Sequence, residues 1–268
     1  MASVPLWHIP SVAPWRTVVA ATLAATLVAC ETPSREPLRV SAAVSLTESL
    51  TTAVRQWERE TGETATLNFA ASNILSRQIE EGAPADVFVS ADMLQMERLV
   101  VRHLVDAESV VTLLSNQLAV VAPSDRPLAG PLPGGLAEPG IARLALGDPA
   151  AVPAGHYARQ WLERIDLWPR VASKVVPTSS VRAALAAVEA GNADAAVIYR
   201  TDAVGRSRVR IEYLVPVDQG PQIAYPGGIV TASSQPVKAR ALLSWLRGDT
   251  AMGIFKAAGF GTPVVVAR

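Results

Sequence analysis

"FAASNILSRQIEEGAPADVFVSAD" (residues 69–92) decides the fold. An apolar strand over 64–70 ends on the small residues Ala71 and Ser72 and passes without a linker into a helix over 73–81. Gly82 closes that helix, and "ADVFVSAD" supplies a buried strand over 86–90 before the next helix near 93–102. Asp92 stands where the N-cap of that helix belongs. A strand that hands directly to a helix start exposes free amide N–H groups at its carboxyl end. That is where α/β proteins hold anions.

Upstream, strand 38–43 leads into helix 46–60, which Thr61-Gly62 terminates. The order is βαβαβ, so the expected sheet is mostly parallel and covered by helices on both faces. Strand 117–122 is followed by "APSDRPLAGPLPGGLAEPG", a Pro- and Gly-rich loop. A second series then follows: strand 143–147, helix 154–166, strand 171–176, helix 180–190 and strand 194–199, ending near "RIEYLVPVDQG". A strand at 222–232 and helices at 236–247 and 249–258 complete the chain. Two α/β lobes fit this pattern better than one sheet.

The chain has 268 residues, half of them apolar, with 24 basic and 24 acidic side chains and no basic block. That is enough for a packed core, and it lacks the electrostatic footprint of a nucleic-acid binder. In the first 29 residues Arg16 is the only formally charged side chain, and "TVVAATLAATLVA" (17–29) follows it. The run has the length of a signal-peptide core and is short of the ~20 residues that span a bilayer. It ends in "LVAC", which resembles a lipoprotein lipobox, with Cys30 the lipidated residue and 30–37 a linker. The competing reading is a buried cysteine. Cys30 is the chain's single cysteine, so an internal disulfide is excluded.

Catalytic motifs are missing. His8, His103 and His156 show no metal-ligand spacing, and there is no nucleophile elbow, Walker A loop or GxGxxG after the first strand. The chain reads as a binding protein without cofactor, not an enzyme.

Four helix starts follow strand ends, two in each series. "AAVSLTES" puts Ser45 at the first, with Glu48 at capping-box spacing, and Ser72 opens the second. Pro153-Ala154-Gly155 opens the third, proline being favoured in a first turn, and Ser179-Ser180-Val181 the fourth. Taken singly, each serine reads as an ordinary N-cap. Four starts facing one cleft would make an anion site, each terminus contributing ~0.3–1 kcal/mol.

The stretches "AAVSLTESL", "FAASNILSRQIEEGAPADVFVSAD", "DPAAVPAGHYARQWL" and "VRAALAAVEAGNADAAVIYRTDA", in this order, resemble the periplasmic molybdate-binding proteins of ABC importers from Leu38 onward. The resemblance implies the α/β two-lobe periplasmic binding protein type II fold, with lobe I at 38–117 and 220–268, lobe II at 118–219, and two crossings at a hinge. It implies a tetrahedral oxyanion, molybdate and also tungstate, held between the lobes by uncharged donors. Those are the hydroxyls and amides of Ser45 and Ser72, the amides of Ala154 and Val181, and the Tyr199 hydroxyl, with no side chain ligating the metal directly. Without the resemblance, Tyr199 reads as a core tyrosine. Ala71 departs from the family, where a further serine is common, and Asn73 varies. The expected protein is a lipid-anchored, extracytoplasmic monomer serving an ABC permease. A binder of another tetrahedral oxyanion such as sulfate, or an oxyanion sensor, is the alternative.

Overall fold

A computed structural model describes residues 36–263. The leader, Cys30 and most of the linker lie outside the described residues.

The first series builds β1 (Leu38–Ala43), α1 (Thr47–Thr61), β2 (Ala65–Ala70), α2 (Ser72–Glu80), β3 (Val87–Val89) and α3 (Met93–Val101). Strands β4 (Val111–Asn116) and β5 (Leu118–Pro123) follow. The second series runs β6 (Leu144–Gly147), α4 (Pro153–Arg164), α5 (Trp168–Val171), β7 (Val175–Thr178), α6 (Val181–Glu189), β8 (Ala195–Tyr199), α7 (Arg200–Ala203) and β9 (Val209–Leu214). Strand β10 (Ile223–Ile229), α8 (Pro236–Leu246) and α9 (Asp249–Ala257) close the described chain.

The ten strands form two sheets of five, ordered β2-β1-β3-β10-β4 and β7-β6-β8-β5-β9. In the first, β1 runs parallel to β2 and β3, while β10 is antiparallel to β3 and β4. In the second, β6 runs parallel to β7 and β8, while β5 is antiparallel to β8 and β9. Both sheets are therefore mixed, where the sequence reading expected mostly parallel ones. The reason is connectivity: β5 and β10 each arrive from the other sheet and run back against the parallel trio. The chain passes between the sheets at Gln117 and again between β9 and β10.

Packing follows from local pattern. Helix α1 buries Leu50, Ala53, Val54 and Trp57, spaced as one helical face, and ends at Gly62, whose φ of +73° is the left-handed cap. Strand β8 is buried at every residue, as a strand covered on both faces requires. Burying a large apolar side chain contributes ~1.5–3 kcal/mol, and Trp57, Phe88 and Trp161 are fully inside. Helix α8 packs on β10, and α9 packs on α1 and α8.

Three local expectations are corrected. Strand 171–176 begins later, at Val175, because Trp168-Pro169 starts a short helix, with proline in its first turn. The expected strand 117–122 corresponds to β5, and β4 before it was not separated by pattern; "VTLLSNQLAVVAP" is one apolar run that changes sheet at Gln117. The Ser45–Glu48 capping box does not form. Ser45 lies in a 3-10 turn at Val44–Leu46, α1 starts at Thr47 without a side-chain cap, and Glu48 turns away to partners on α6 and beyond α7.

Candidate oxyanion site

Each expected site residue sits where a strand meets a helix or turn. Ser45 follows β1, in the turn before α1. Ser72 is the first residue of α2, and Ala71 holds the N-cap position without a side-chain bond. Ala154 follows Pro153 at the start of α4. Val181 is the first residue of α6, whose N-cap Ser180 accepts from the Ala183 N–H at 3.1 Å. Tyr199 ends β8 and is 1% exposed. The first amides of a helix have no intrahelical acceptor, so these starts carry free donors.

All five residues line one small pocket. Ala43, Val44, Ala71 and Ala91 complete the wall from the first lobe, Val152 and Pro153 from the second. None of the lining residues is ionisable except the Tyr199 phenol. Burial pushes that phenol well above its ordinary range, so it keeps its proton. The small side chains are a packing requirement as well. A Cβ on Gly155 would fall 1.8 Å from the Gly147 carbonyl oxygen, so only glycine lets the α4 start press on the end of β6.

The hydroxyls have defined partners. Ser72 Oγ accepts from the Ala91 N–H at 3.0 Å, which leaves its own proton for the pocket. Ser45 Oγ lies 3.1 Å from Tyr225 Oη. Tyr199 Oη is 3.5 Å from the Ala91 carbonyl, a distance too long for a strong bond. Tyr225 and Ala91 were missed in the sequence. Nothing local marks Tyr225, which lies 180 residues from Ser45 along the chain.

Charge surrounds the pocket without entering it. Asp92 caps α3 as expected, accepting from the Gln95 N–H at 2.9 Å; burial pushes its carboxyl up, against the pull of the Gln95 and Ser90 bonds. Arg182, one residue beyond Val181, pairs with Glu48 through two bonds of 3.0 and 2.6 Å and with buried Asp202 at 2.5 Å. Arg206 adds a contact to Glu48 at 3.3 Å. Burial works against ionised Glu48, but its bonds and charges from Arg182 and Arg206 outweigh this and hold its carboxyl below the usual range. Burial pushes the Asp202 carboxyl up to about 7 despite Arg182. Among the described residues, no group of His, Cys, Asp and Glu could hold a metal ion, and no helix is long and apolar enough to cross a membrane.

Residues 38–261 match the family described as bacterial extracellular solute-binding protein. The chain belongs to that family. The molybdate-binding protein ModA of Escherichia coli (strain K12) is 37% identical over 216 residues, covering 76% of this chain and 81% of that protein. The solved periplasmic molybdate-binding protein of Azotobacter vinelandii superposes with a TM-score of 0.76 at 25% identity, covering 85% of this chain and all of that one. The sulfate-binding protein SubI of Mycobacterium tuberculosis shares the fold, with a TM-score of 0.73 at 19% identity over 84% of this chain and 86% of its own. The resemblance read from the sequence is thereby borne out, as is the two-lobe α/β fold. The family is one of solute-binding proteins, not of enzymes.

Proposed function

We propose that this solute-binding protein captures molybdate, and tungstate by the same chemistry, outside the cytoplasm and delivers it to an ABC permease. The observation that carries this reading is the convergence of Ser45, Ser72, Ala154, Val181 and Tyr199 on one small pocket with no charged side chain in its wall. A tetrahedral dianion offers only acceptors, so a site that binds it must offer donors. Hydrogen bonds to a charged group contribute a net ~1.5–3 kcal/mol each. Desolvation offsets much of that sum, so binding requires most oxygens to be satisfied. The names of the relatives that share the chain's length favour molybdate over other oxyanions.

Lobe I, at 38–117 and 220–268, and lobe II, at 118–219, would close on the ion about the two crossings. The monomer would hang from its membrane by a lipid on Cys30, without any other cofactor. A sulfate carrier is the second reading, since a sulfate-binding protein shares the fold. Calorimetry of the purified protein against molybdate, tungstate, sulfate and phosphate tests the proposal. Saturable binding of molybdate and tungstate, tighter than sulfate, is expected; tighter sulfate binding would transfer the assignment to the second reading.

A further inference from the structure

Tyr225 is fully buried on β10, outside the pocket wall; its ring packs against that of Tyr199 at 5.8 Å, and its hydroxyl reaches the site through Ser45. Its hydroxyl lies 3.1 Å from Ser45 Oγ and accepts from Asn116 Nδ2, also at 3.1 Å. The direction of this chain can be read from its far end. Asn116 Oδ1 accepts from the Gln117 N–H at 2.8 Å, which fixes the amide so that Nδ2 faces Tyr225 and Thr201 Oγ1, the latter at 2.9 Å. An amide nitrogen only donates, so Tyr225 must accept there and has its own proton to give. Burial holds that phenol well above its ordinary range, so the proton stays in place. Ser45 Oγ is the partner within reach, and by accepting from Tyr225 it keeps its own proton for the pocket it lines.

We propose that Asn116 and Tyr225 are positioning residues that polarise Ser45, so that it presents a proton and not a lone pair to the ligand. The proposal rests on the oxyanion reading and deepens it into a selectivity rule. The bond from the Ala91 N–H does the same for Ser72. A pocket whose two serine hydroxyls are both turned toward the ligand as donors suits a fully deprotonated oxyanion. Hydrogen phosphate brings a proton of its own and would set donor against donor there. The device sits at the crossing between the lobes, since Asn116 ends β4 and Gln117 starts the passage to β5.

Reversing the relay tests this. Asn116→Asp replaces the donor by an acceptor of the same shape; Tyr225 then donates to the carboxylate, and Ser45 gives its proton to Tyr225. Molybdate affinity should fall about tenfold to a hundredfold, the span of one charge-assisted bond. The molybdate-to-phosphate affinity ratio at mildly alkaline pH should fall with it. The new negative charge alone could weaken a dianion, so the deciding variant is Asn116→Asp combined with Tyr225→Phe. Removing the phenol frees the Ser45 proton again, and molybdate affinity should recover about threefold to tenfold over Asn116→Asp alone. Tyr225→Phe by itself should cost only a few-fold, and thermal melts check that all variants fold. No recovery in the double variant, or a molybdate-to-phosphate ratio unchanged throughout, would overturn the relay while leaving the oxyanion reading intact. A wild-type chain that binds neither molybdate nor phosphate would overturn that reading and the relay with it.

Discussion

Ser72 allows a substitution to separate ligand chemistry from helix chemistry. It is the first residue of α2, is 1% exposed, and its hydroxyl accepts from the Ala91 N–H at 3.0 Å. It does not cap its helix, so Ser72→Ala should leave helix formation nearly untouched. The variant loses one proton directed at the ligand, worth ~1.5–3 kcal/mol or roughly tenfold to a hundredfold in affinity. It also leaves the buried Ala91 N–H without its acceptor, at a cost of ~1–3 kcal/mol. In a chain of this size each kcal/mol lowers the melting temperature by ~2–4 °C. Ser72→Asp reverses the emphasis. Its carboxylate can still accept from Ala91, but it turns a like charge toward the dianion. Calorimetry and thermal melts on both variants give the comparison: Asp should bind molybdate far worse than Ala and melt no lower. An Asp variant that binds like wild type, or an Ala variant that loses stability but no affinity, would rule out a donor role for Ser72.

Three further outcomes follow from the surroundings of the pocket. Glu48→Gln breaks the ion pairs that join α1 to Arg182 and Arg206 across the lobes; ligand release should quicken by a few-fold, since such half-exposed pairs contribute ~0.2–1 kcal/mol each, and the salt dependence of release should weaken. Stopped-flow fluorescence that finds identical rates at all salt concentrations would count against an interlobe latch. Asp202, with its folded value raised to about 7, lends stability that is complete below its unfolded value of about 4 and is lost as pH rises through 7. Wild type should therefore lose melting temperature relative to Asp202→Asn over that window, and parallel curves would contradict the shift. Cys30→Ser should abolish lipid attachment, and mass spectrometry that finds a wild-type chain starting upstream of Cys30 without acyl mass would refute the anchor.

Much of this site was legible because its parts obey local rules. Asp92 caps α3, Pro153 opens α4 and Gly62 closes α1, each a consequence of a few adjacent residues. Ser45, Ser72, Ala154 and Val181 could be placed at strand-to-helix junctions for the same reason. The failures lie where partners are remote. Glu48 has capping-box spacing from Ser45, yet its carboxylate is taken by Arg182, 134 residues away, because a bidentate ion pair outcompetes a backbone amide. The Tyr225–Ser45 bond and the antiparallel pairing of β10 depend on how the chain returns to the first sheet, which no local spacing records.

Five residues from two lobes are expected to surround one tetrahedral metal oxyanion. Anomalous scattering from crystals grown with molybdate, collected at the molybdenum absorption edge, tests it most directly. One peak is expected in the pocket, within hydrogen-bonding reach of the oxygens and amides of Ser45, Ser72, Ala154, Val181 and Tyr199. A strong peak elsewhere on the protein, with none between these residues, would rule out this pocket as the oxyanion site.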